Sequence, residues 1–341
     1  AAWSEEIAQA PFARTVLDMP VLLFRRSDGT PAALLDRCPH RFAPLSRGRI
    51  DGDRVICGYH GLAFDSDGAC VDTRVNDVVR AMAQLRCFPL VERHKTIWIW
   101  MGDARSADPA LIPDFSFFDD PARVSVHGVT HVKSSYLLEV DNLMDLSHID
   151  FVHASTLSGG VMANAKHDVR QEGATVHFDT LCASVPCLPN FEPKIQANGR
   201  ATDHWLDMRW DAPGLMRLDV GAVLANRPRS EGHSILQGHF LTPETQNTTH
   251  YFWGLSRPDE GEPPEIDAFF KELTRKAFEE EDLPMIEAAQ RRMKSNDFWA
   301  ERPLIFPEDA GAIRVRRTLE RLIAEEKRAR EMSSEVEKIA V

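Results

Sequence analysis

The sequence predicts an α+β protein with a small all-β domain ahead of a domain of antiparallel sheet and flanking helices. Three observations carry this. Turn signals punctuate short apolar runs through the first hundred residues. An alternating stretch over residues 216–224, apolar at the even positions, reads as a half-buried strand. Apolar positions at mixed spacings of three and four mark helices near the middle and the end of the chain.

In the first part, Val21–Phe24 and Ala32–Leu35 flank Ser27-Asp28-Gly29-Thr30, a hairpin signal. Val55-Ile56 and Ala69–Val71 flank a second one, Asp65–Gly68. Ile97–Met101 is a further strand, and Gly102–Pro113 reads as a linker, so the domains are expected at 1–104 and 105–341. The second part opens with the polar-apolar stretch His127–Ser135. Leu137–Ile149 follows as a helix through Leu138, Leu143, Leu146 and Ile149. Residues 204–255 read as strands of one antiparallel sheet. In 216–224 the even positions Met216, Leu218, Val220, Ala222 and Leu224 are apolar and the odd ones include Arg217 and Asp219. Residues 265–295 and 309–338 read as helical, the last a solvated or interface helix rich in Glu, Arg, Lys and Ala.

Composition narrows the function. At ~150 residues per domain, 341 residues make about two domains. A net charge of −12 disfavours nucleic acid and anionic membrane, which need clustered Lys and Arg. No apolar run approaches the ~20 residues of a membrane span, and no secretory signal is visible. The sequence opens at Ala1 without an initiator methionine, so a few residues are expected before it. Six cysteines are too sparse for a disulfide scaffold, which makes the cytoplasm the expected compartment. Cys70, Cys87, Cys182 and Cys187 have no histidine in phase and read as small core residues.

Cys38-Pro39-His40 and Cys57-Gly58-Tyr59-His60-Gly61 stand sixteen residues apart, each at a strand-to-loop junction. Zinc fingers usually group cysteines and histidines in separate pairs. A mixed Cys–His pairing suits a two-iron cluster with two thiolates on one iron and two imidazoles on the other. A structural zinc site is the alternative. Further on, Asn142-Leu-Met-Asp145-Leu-Ser-His148-Ile-Asp-Phe-Val-His153 places a carboxylate and two imidazoles within nine residues. Asp145 and His148 share a helix face at i,i+3, whereas His153 lies about 140° away from His148 on an ideal helix. The helix must therefore end or distort before His153 for both rings to meet one metal. Two histidines and a carboxylate form the facial triad of non-haem Fe(II) oxygenases. An electron-carrying cluster and an oxygen-activating iron in one chain make a coherent system.

Arg37-Cys-Pro-His-Arg-Phe-Ala-Pro-Leu-Ser46, Cys57–Leu62 and Asp141–His148 resemble the Rieske non-haem iron oxygenases, α component, in the branch of the vanillate and dicamba O-demethylases. So do Leu241–Thr245 and Tyr251–Gly254. The resemblance implies a Rieske domain, a catalytic domain of helix-grip type and a homotrimer. It implies Cys38, His40, Cys57 and His60 as cluster ligands and His148 and His153 as iron ligands. Glu279-Glu280-Glu281-Asp282 offers four candidates for the carboxylate, and Asp282-Leu-Pro-Met-Ile matches the family segment; the alternative makes Asp282 a helix cap ahead of Pro284. Asp145, beside Asn142 in the same motif, is expected to accept the free N–H of His148 and to meet His60 of a neighbouring subunit.

The same resemblance puts His239 where the dicamba enzyme holds its substrate carboxylate, with a buried structural histidine as the alternative. Ungapped counting puts Leu218, with Val220 beside it, where that enzyme has Asn. This departure leaves the pocket more apolar and puts a chlorinated benzoate in doubt. Asp219-Val220-Gly221 instead resembles a Glu-Val-Gly stretch of the vanillate enzymes. No G-x-G-x-x-G follows a strand, so NAD(P)H is expected to act through a separate reductase, with or without a ferredoxin. The expected activity is O2-dependent O-demethylation or hydroxylation of an aromatic compound, with one 2Fe-2S cluster and one Fe(II) per chain. The alternatives are arene cis-dihydroxylation and a zinc or iron–sulfur electron-transfer protein.

Overall fold

Short turns fold the start of the chain into three small antiparallel sheets. The computed structural model describes the chain apart from Ser155, Ser158, Gly159, Ala340 and Val341 and the side chains of residues 332–339. The sheets run β1 (Ala2–Trp3), β9 (Thr96–Ile99), β8 (Leu90–Arg93); β2 (Phe12–Val16), β3 (Met19–Arg25), β4 (Pro31–Leu35); and β5 (Arg49–Asp51), β6 (Arg54–Ile56), β7 (Ala63–Phe64). One short helix, α1 (Asp77–Met82), interrupts them. The Ser27–Thr30 turn joins β3 to β4 as expected, with Gly29 at φ 86° and Thr30 donating to Asp28.

β3 organises this unit. Val21, Leu22, Leu23 and Phe24 are all fully buried, because successive side chains enter opposite cores. Val21 and Leu23 pack with Ala2, Ile7, Phe88 and Ile97. Leu22 and Phe24 pack with Leu34, Leu45, Val55 and Phe64, and with the thiols Cys38 and Cys57.

Two expectations need correction here. Residues 69–71 form no strand; β6 pairs with β7 across the Cys57–Leu62 loop, and Cys70 adds only an isolated bridge to Phe64. Cys87 is exposed and Cys187 half-buried, so only Cys70 and Cys182 of the four are core residues. The compact units also differ from the 104/105 boundary. They comprise residues 1–120 with 242–252, and 121–241 with 253–341. Phe115, Phe117 and Phe118 are buried with the first unit, where Trp3 meets Phe118 edge-on at 5.7 Å. Leu17 and Asp18 donate to the carbonyls of Pro243 and Glu244, which ties 242–252 to the same unit.

A seven-stranded sheet dominates the rest. Its order is β10 (Arg123–Val132), β16 (Thr249–Pro258), β15 (His233–Pro243), β14 (Leu215–Leu224), β13 (Thr202–Asp211), β12 (Thr175–Val185), β11 (Lys166–Glu172). The chain meanders antiparallel from β11 to β15, and the first strand lies beside the last. Between β10 and β11 run α2 (Tyr136–Met144) and α3 (Ile149–Val152). A single turn, α4 (Glu192–Ile195), follows β12. After β16 come α5 (Pro264–Arg275), a π-helical stretch Lys276–Asp282, α6 (Leu283–Arg292) and α7 (Ala310–Ile339). The alternation expected in β14 holds over its first half, where Met216 and Leu218 are buried between the half-buried Arg217 and Asp219; beyond it Val220 and Leu224 are half-buried and Gly221, Ala222 and Val223 are all buried. α7 approaches the Leu218 face where it continues into Phe178 of β12. Gly311 permits that approach, since a Cβ there would stand 2.8 Å from Phe178 and 3.0 Å from Met144. Among the described residues no helix is long and apolar enough to cross a membrane.

The helix expected over 137–149 is broken. α2 stops at Met144, Asp145 is extended (φ −126°, ψ 90°), and Leu146–His148 form a 3-10 turn. Arg316 of α7, itself buried, holds Asp141 of α2 through Nε at 2.9 Å and through Nη2, and stacks 4.0 Å over Phe298. Arg316→Ala leaves Asp141 with an uncompensated charge and is expected to cost about 3 kcal/mol. Arg316→Met, which keeps the stem packing, should cost measurably less than the alanine variant in urea unfolding.

Candidate metal centres

Two loops of the first unit close in the same way. Cys38 N donates to Ala43 O and Phe42 N to Cys38 O, both at 2.9 Å. Cys57 N donates to Leu62 O (2.8 Å) and Gly61 N to Cys57 O (2.9 Å). Each turn needs a left-handed residue four positions after the cysteine, supplied by Phe42 (φ 62°) and Gly61 (φ 73°). Gly58 has no room for a side chain, because a Cβ would stand 2.6 Å from the Arg47 carbonyl oxygen. Before the first loop, buried Asp36 accepts from Ser46 N (2.7 Å) and Oγ (2.6 Å). Behind the second, Arg74 Nη2 donates to the carbonyls of His60 and Gly61, and the same Nη2 together with Nε grips buried Asp72.

These loops separate their donors by burial. Cys38 and Cys57 are each 2% exposed, whereas His40 and His60 are exposed and their rings meet at 4.5 Å. Burial pushes the Cys38 thiol up, and Cys57 beside it adds to the shift. Two adjacent buried thiols and two surface imidazoles fit a two-iron cluster with a sulfur side and a nitrogen side.

In the second unit one donor atom from each of His148, His153 and Asp282 falls within 4.8 Å of the others. His148 Nε2 is 3.5 Å and His153 Nε2 3.2 Å from the Asp282 carboxylate, which is 4% exposed. Asn142 Nδ2 donates to Asp282 Oδ1 at 3.2 Å. Asp282 makes no capping hydrogen bond, so the cap reading fails; the helix runs through it. The other three acids of the run face elsewhere. Glu279 accepts from Thr130 and Arg275, Glu280 pairs with Arg275, and Glu281 Oε2 lies 2.7 Å from His153 Nδ1. The π-helical turn is where consecutive carboxylates meet opposite edges of one imidazole. Burial opposes the His153 imidazolium, but Asp282 and Glu281 outweigh it and raise its pKa.

His148 departs from expectation in its partner. Its Nδ1 lies 2.6 Å from the main-chain carbonyl of Asp145, not from the carboxylate, which accepts from Ser147 N at 3.0 Å. The break in α2 turns that carbonyl toward the ring. Both imidazoles thus have Nδ1 held and Nε2 aimed at Asp282. His239 is buried on the same side of the sheet, its ring 5.9 Å from Phe278, and burial lowers its pKa to about 3. Glu281, and Thr156 which donates to it at 2.5 Å, were missed as supports; the acidic run held the only signal.

A β unit with paired Cys–His loops, followed by a sheet-and-helix unit with two histidines around a buried carboxylate, is the layout of a Rieske oxygenase component. Residues 2–89 match the Rieske [2Fe-2S] domain, and residues 132–325 match the vanillate O-demethylase oxygenase C-terminal domain. The chain is 38% identical over 331 residues to the dicamba O-demethylase oxygenase component of Stenotrophomonas maltophilia, covering 94% of this chain and 95% of that one. It is 37% identical over 319 residues to the vanillate O-demethylase oxygenase subunit of a Pseudomonas species, covering 91% and 95%. A crystal structure of dicamba monooxygenase bound to 3,6 dichlorosalicylic acid superposes with a TM-score of 0.91 at 36% identity over 96% of each chain. Another, with non-heme iron and dicamba, gives 0.83 at 36% identity, covering 96% and 97%. The chain belongs to the vanillate O-demethylase oxygenase family of Rieske oxygenases. It is an oxidoreductase with a Rieske 2Fe-2S cluster and a mononuclear iron, and the zinc and pure electron-transfer readings fall.

Two predictions follow from these geometries. Arg74 holds the Asp72 carboxyl down at about 2, so this pair contributes fully above the ordinary carboxylate range and is lost as pH falls from about 4 toward about 2. The stability gap between wild type and Asp72→Asn, measured by urea unfolding, should therefore narrow on acidification. Asp282→Ala should lose the mononuclear iron and keep the Rieske absorbance, while Glu280→Ala retains both. Glu281→Gln should weaken iron binding about tenfold or more by freeing the His153 ring. Iron analysis of the purified variants checks all three.

Proposed function

We propose that the chain O-demethylates or hydroxylates an aromatic compound with O2, using electrons from a separate NAD(P)H-dependent reductase, with or without a ferredoxin. The observation that carries this is the three-donor group of half-buried His148 and buried His153 and Asp282, at the end of the stretch whose Phe278 meets His239 of the sheet. Three protein donors leave coordination positions for oxygen next to a substrate. In this reading Cys38, His40, Cys57 and His60 hold the cluster within residues 1–104, and the iron ligands belong to residues 105–341. The cluster supplies electrons singly and the iron supplies dioxygen activation.

The chain's own residues do the positioning. Asn142 fixes the Asp282 carboxylate, the Asp145 carbonyl and Glu281 fix the two ring tautomers, and Leu218, Val220 and His239 form the substrate wall. Asp145 keeps one carboxylate oxygen without a hydrogen-bond partner among the described residues, and His60 presents its ring at the surface. Both fit a homotrimer in which one subunit's Asp145 meets the next subunit's cluster histidine. The four cysteines outside the cluster loops form no disulfide, and Cys87 among them is exposed, which fits a cytoplasmic location.

The test is turnover with a reconstituted reductase. Oxygen uptake with a phenol and formaldehyde as products marks demethylation, and a hydroxylated product without formaldehyde marks hydroxylation. A cis-diol would overturn the monooxygenase reading. Asp145→Asn should keep both metals and a reducible cluster, while substrate-coupled reoxidation of the cluster in rapid mixing collapses. Wild-type reoxidation in that variant would remove the proposed subunit bridge.

A further inference from the structure

The inner sheet face continues past Leu218. Ala222 follows it on the same side of β14, and one row of the register runs Cys182, His204, Ala222, His233. This row borders the iron-ligand segment. Cys182 Sγ lies 3.7 Å from Met162 Sδ, and Met162 N donates at 2.9 Å to Asp150, in α3 between His148 and His153. The loop from β12 to β13 covers the row. Phe191 of that loop, 4% exposed, sets its ring 5.6 Å from His204 and 6.3 Å from His233. A cavity of about 370 Å³ lies against the same loop, lined by Lys194, Gln196, Leu224, His233 and Glu260 among others. His233 thus borders both the cavity and the Phe191 ring.

Residues 186–200 satisfy their main chain largely from within. Phe191 and Glu192 donate to Leu188 O, Lys194 and Ile195 to Phe191 O, Gln196 to Glu192 O, and Asn198 to the Glu192 carboxylate. Outward, among the described residues, this main chain makes one hydrogen bond, from Leu188 N to His204 Nε2, and it is long at 3.4 Å. The buried side chains of Leu188, Phe191 and Ala197 hold the loop down. So does an ionic latch: Lys194 Nζ meets Glu260 and, at 2.6 Å, Glu262, which buried Arg257 of β16 anchors. Left-handed backbone stands at both ends, at Ser184 (φ 54°) and at Asn198 (φ 50°) with Gly199 (φ 82°). Beneath the loop His204 is fully buried and its Nδ1 has no partner, a cost that opening to water removes. A segment with so few outward ties opens at less cost than the sheet it covers. We propose that residues 186–200 form a gate through which aromatic substrate and product pass, with Phe191 as its plug and Lys194 as its latch. The inference rests on the oxygenase reading of the neighbouring site and adds its route of access.

The experiment follows the arrival of an aromatic probe at the iron, together with hydrogen exchange. The probe is bipyridine, a flat aromatic chelator, mixed with the Fe(II)-loaded holoenzyme; its coloured iron complex reports each extraction. Phe191→Ala and Lys194→Met should each raise the extraction rate about tenfold, while iron loss into probe-free buffer and the Rieske absorbance keep their wild-type values. Residues 186–200 should exchange faster in both variants, with α2 and α3 protected as in wild type. Unchanged extraction in both variants overturns the gate. So does acceleration matched by faster iron loss without probe, or by faster exchange in α2 and α3, since either marks a loosened iron site. Lys194→Met alters a partly exposed group and decides the matter if Phe191→Ala does not fold. Failure of the chain to load Fe(II) counts against the oxygenase reading, and exchange then tests the gate alone: residues 186–200 exchanging no faster in Lys194→Met overturns it.

Discussion

A carboxylate buried to 4% exposure must be met by donors or a cation, and Asp282 sets the terms for the second unit. Its partners come from three separated stretches: Asn142 on α2, His148 in the turn after it, and His153 at the end of α3. An unbroken helix over 137–149 would scatter these side chains. Breaking it at Asp145 gathers them and supplies the carbonyl that fixes His148. On the other side, the π-helical turn lets Glu281 and Asp282 address one imidazole from two edges. Both departures from regular helix thus serve one point in space, which is where irregular helix is commonly found.

Much of this was legible in the sequence, and the missing part has a common cause. Donor types at fixed spacing singled out the two Cys–His pairs and the two histidines, His148 and His153, that the structure brings together; the carboxylate that joins those histidines, Asp282, came only from the resemblance to the family segment, where spacing offered Asp145. Alternation in β14 located the inner sheet face over 216–219, beyond which both faces are covered and the pattern is lost. Periodicity failed where one residue changes conformation for tertiary reasons. Leu138, Leu143, Leu146 and Ile149 keep helical spacing across a break that only Asp145 makes. The Asp145 carboxylate was expected to orient His148, yet its main-chain carbonyl does so, and no side-chain pattern encodes that contact. The strand expected at 69–71 failed for a related reason: β6 closes with β7 across the ligand loop, and the later segment keeps one bridge.

The cluster loops show the complementary case, in which local rules suffice. Both close with the same two backbone hydrogen bonds and one left-handed residue. Gly61 adopts that conformation without strain, whereas Phe42 does so as an exposed aromatic stacked 4.1 Å under Arg37. The cysteines enter the core that Leu22 and Phe24 of β3 fill, while the histidines stay outside. Donor segregation therefore follows from the alternation of a single strand and the depth of its neighbours.

The same economy of charge explains the acidic run. Four consecutive carboxylates near one metal site look redundant by composition, yet they divide their work. Glu279 and Glu280 hold Arg275, and Asp141 holds Arg316, so both nearby guanidinium groups are committed elsewhere. Were either free to reach Asp282, a buried bidentate pair would compete directly with a metal ion for that carboxylate. Keeping Lys and Arg off the inner sheet face acts in the same direction. That leaves Asp282 facing the two imidazoles and the Asn142 amide, available to a divalent cation, while Glu281 holds the far edge of His153. Neutrality of the substrate wall and availability of the metal ligands are thus one constraint seen from two sides.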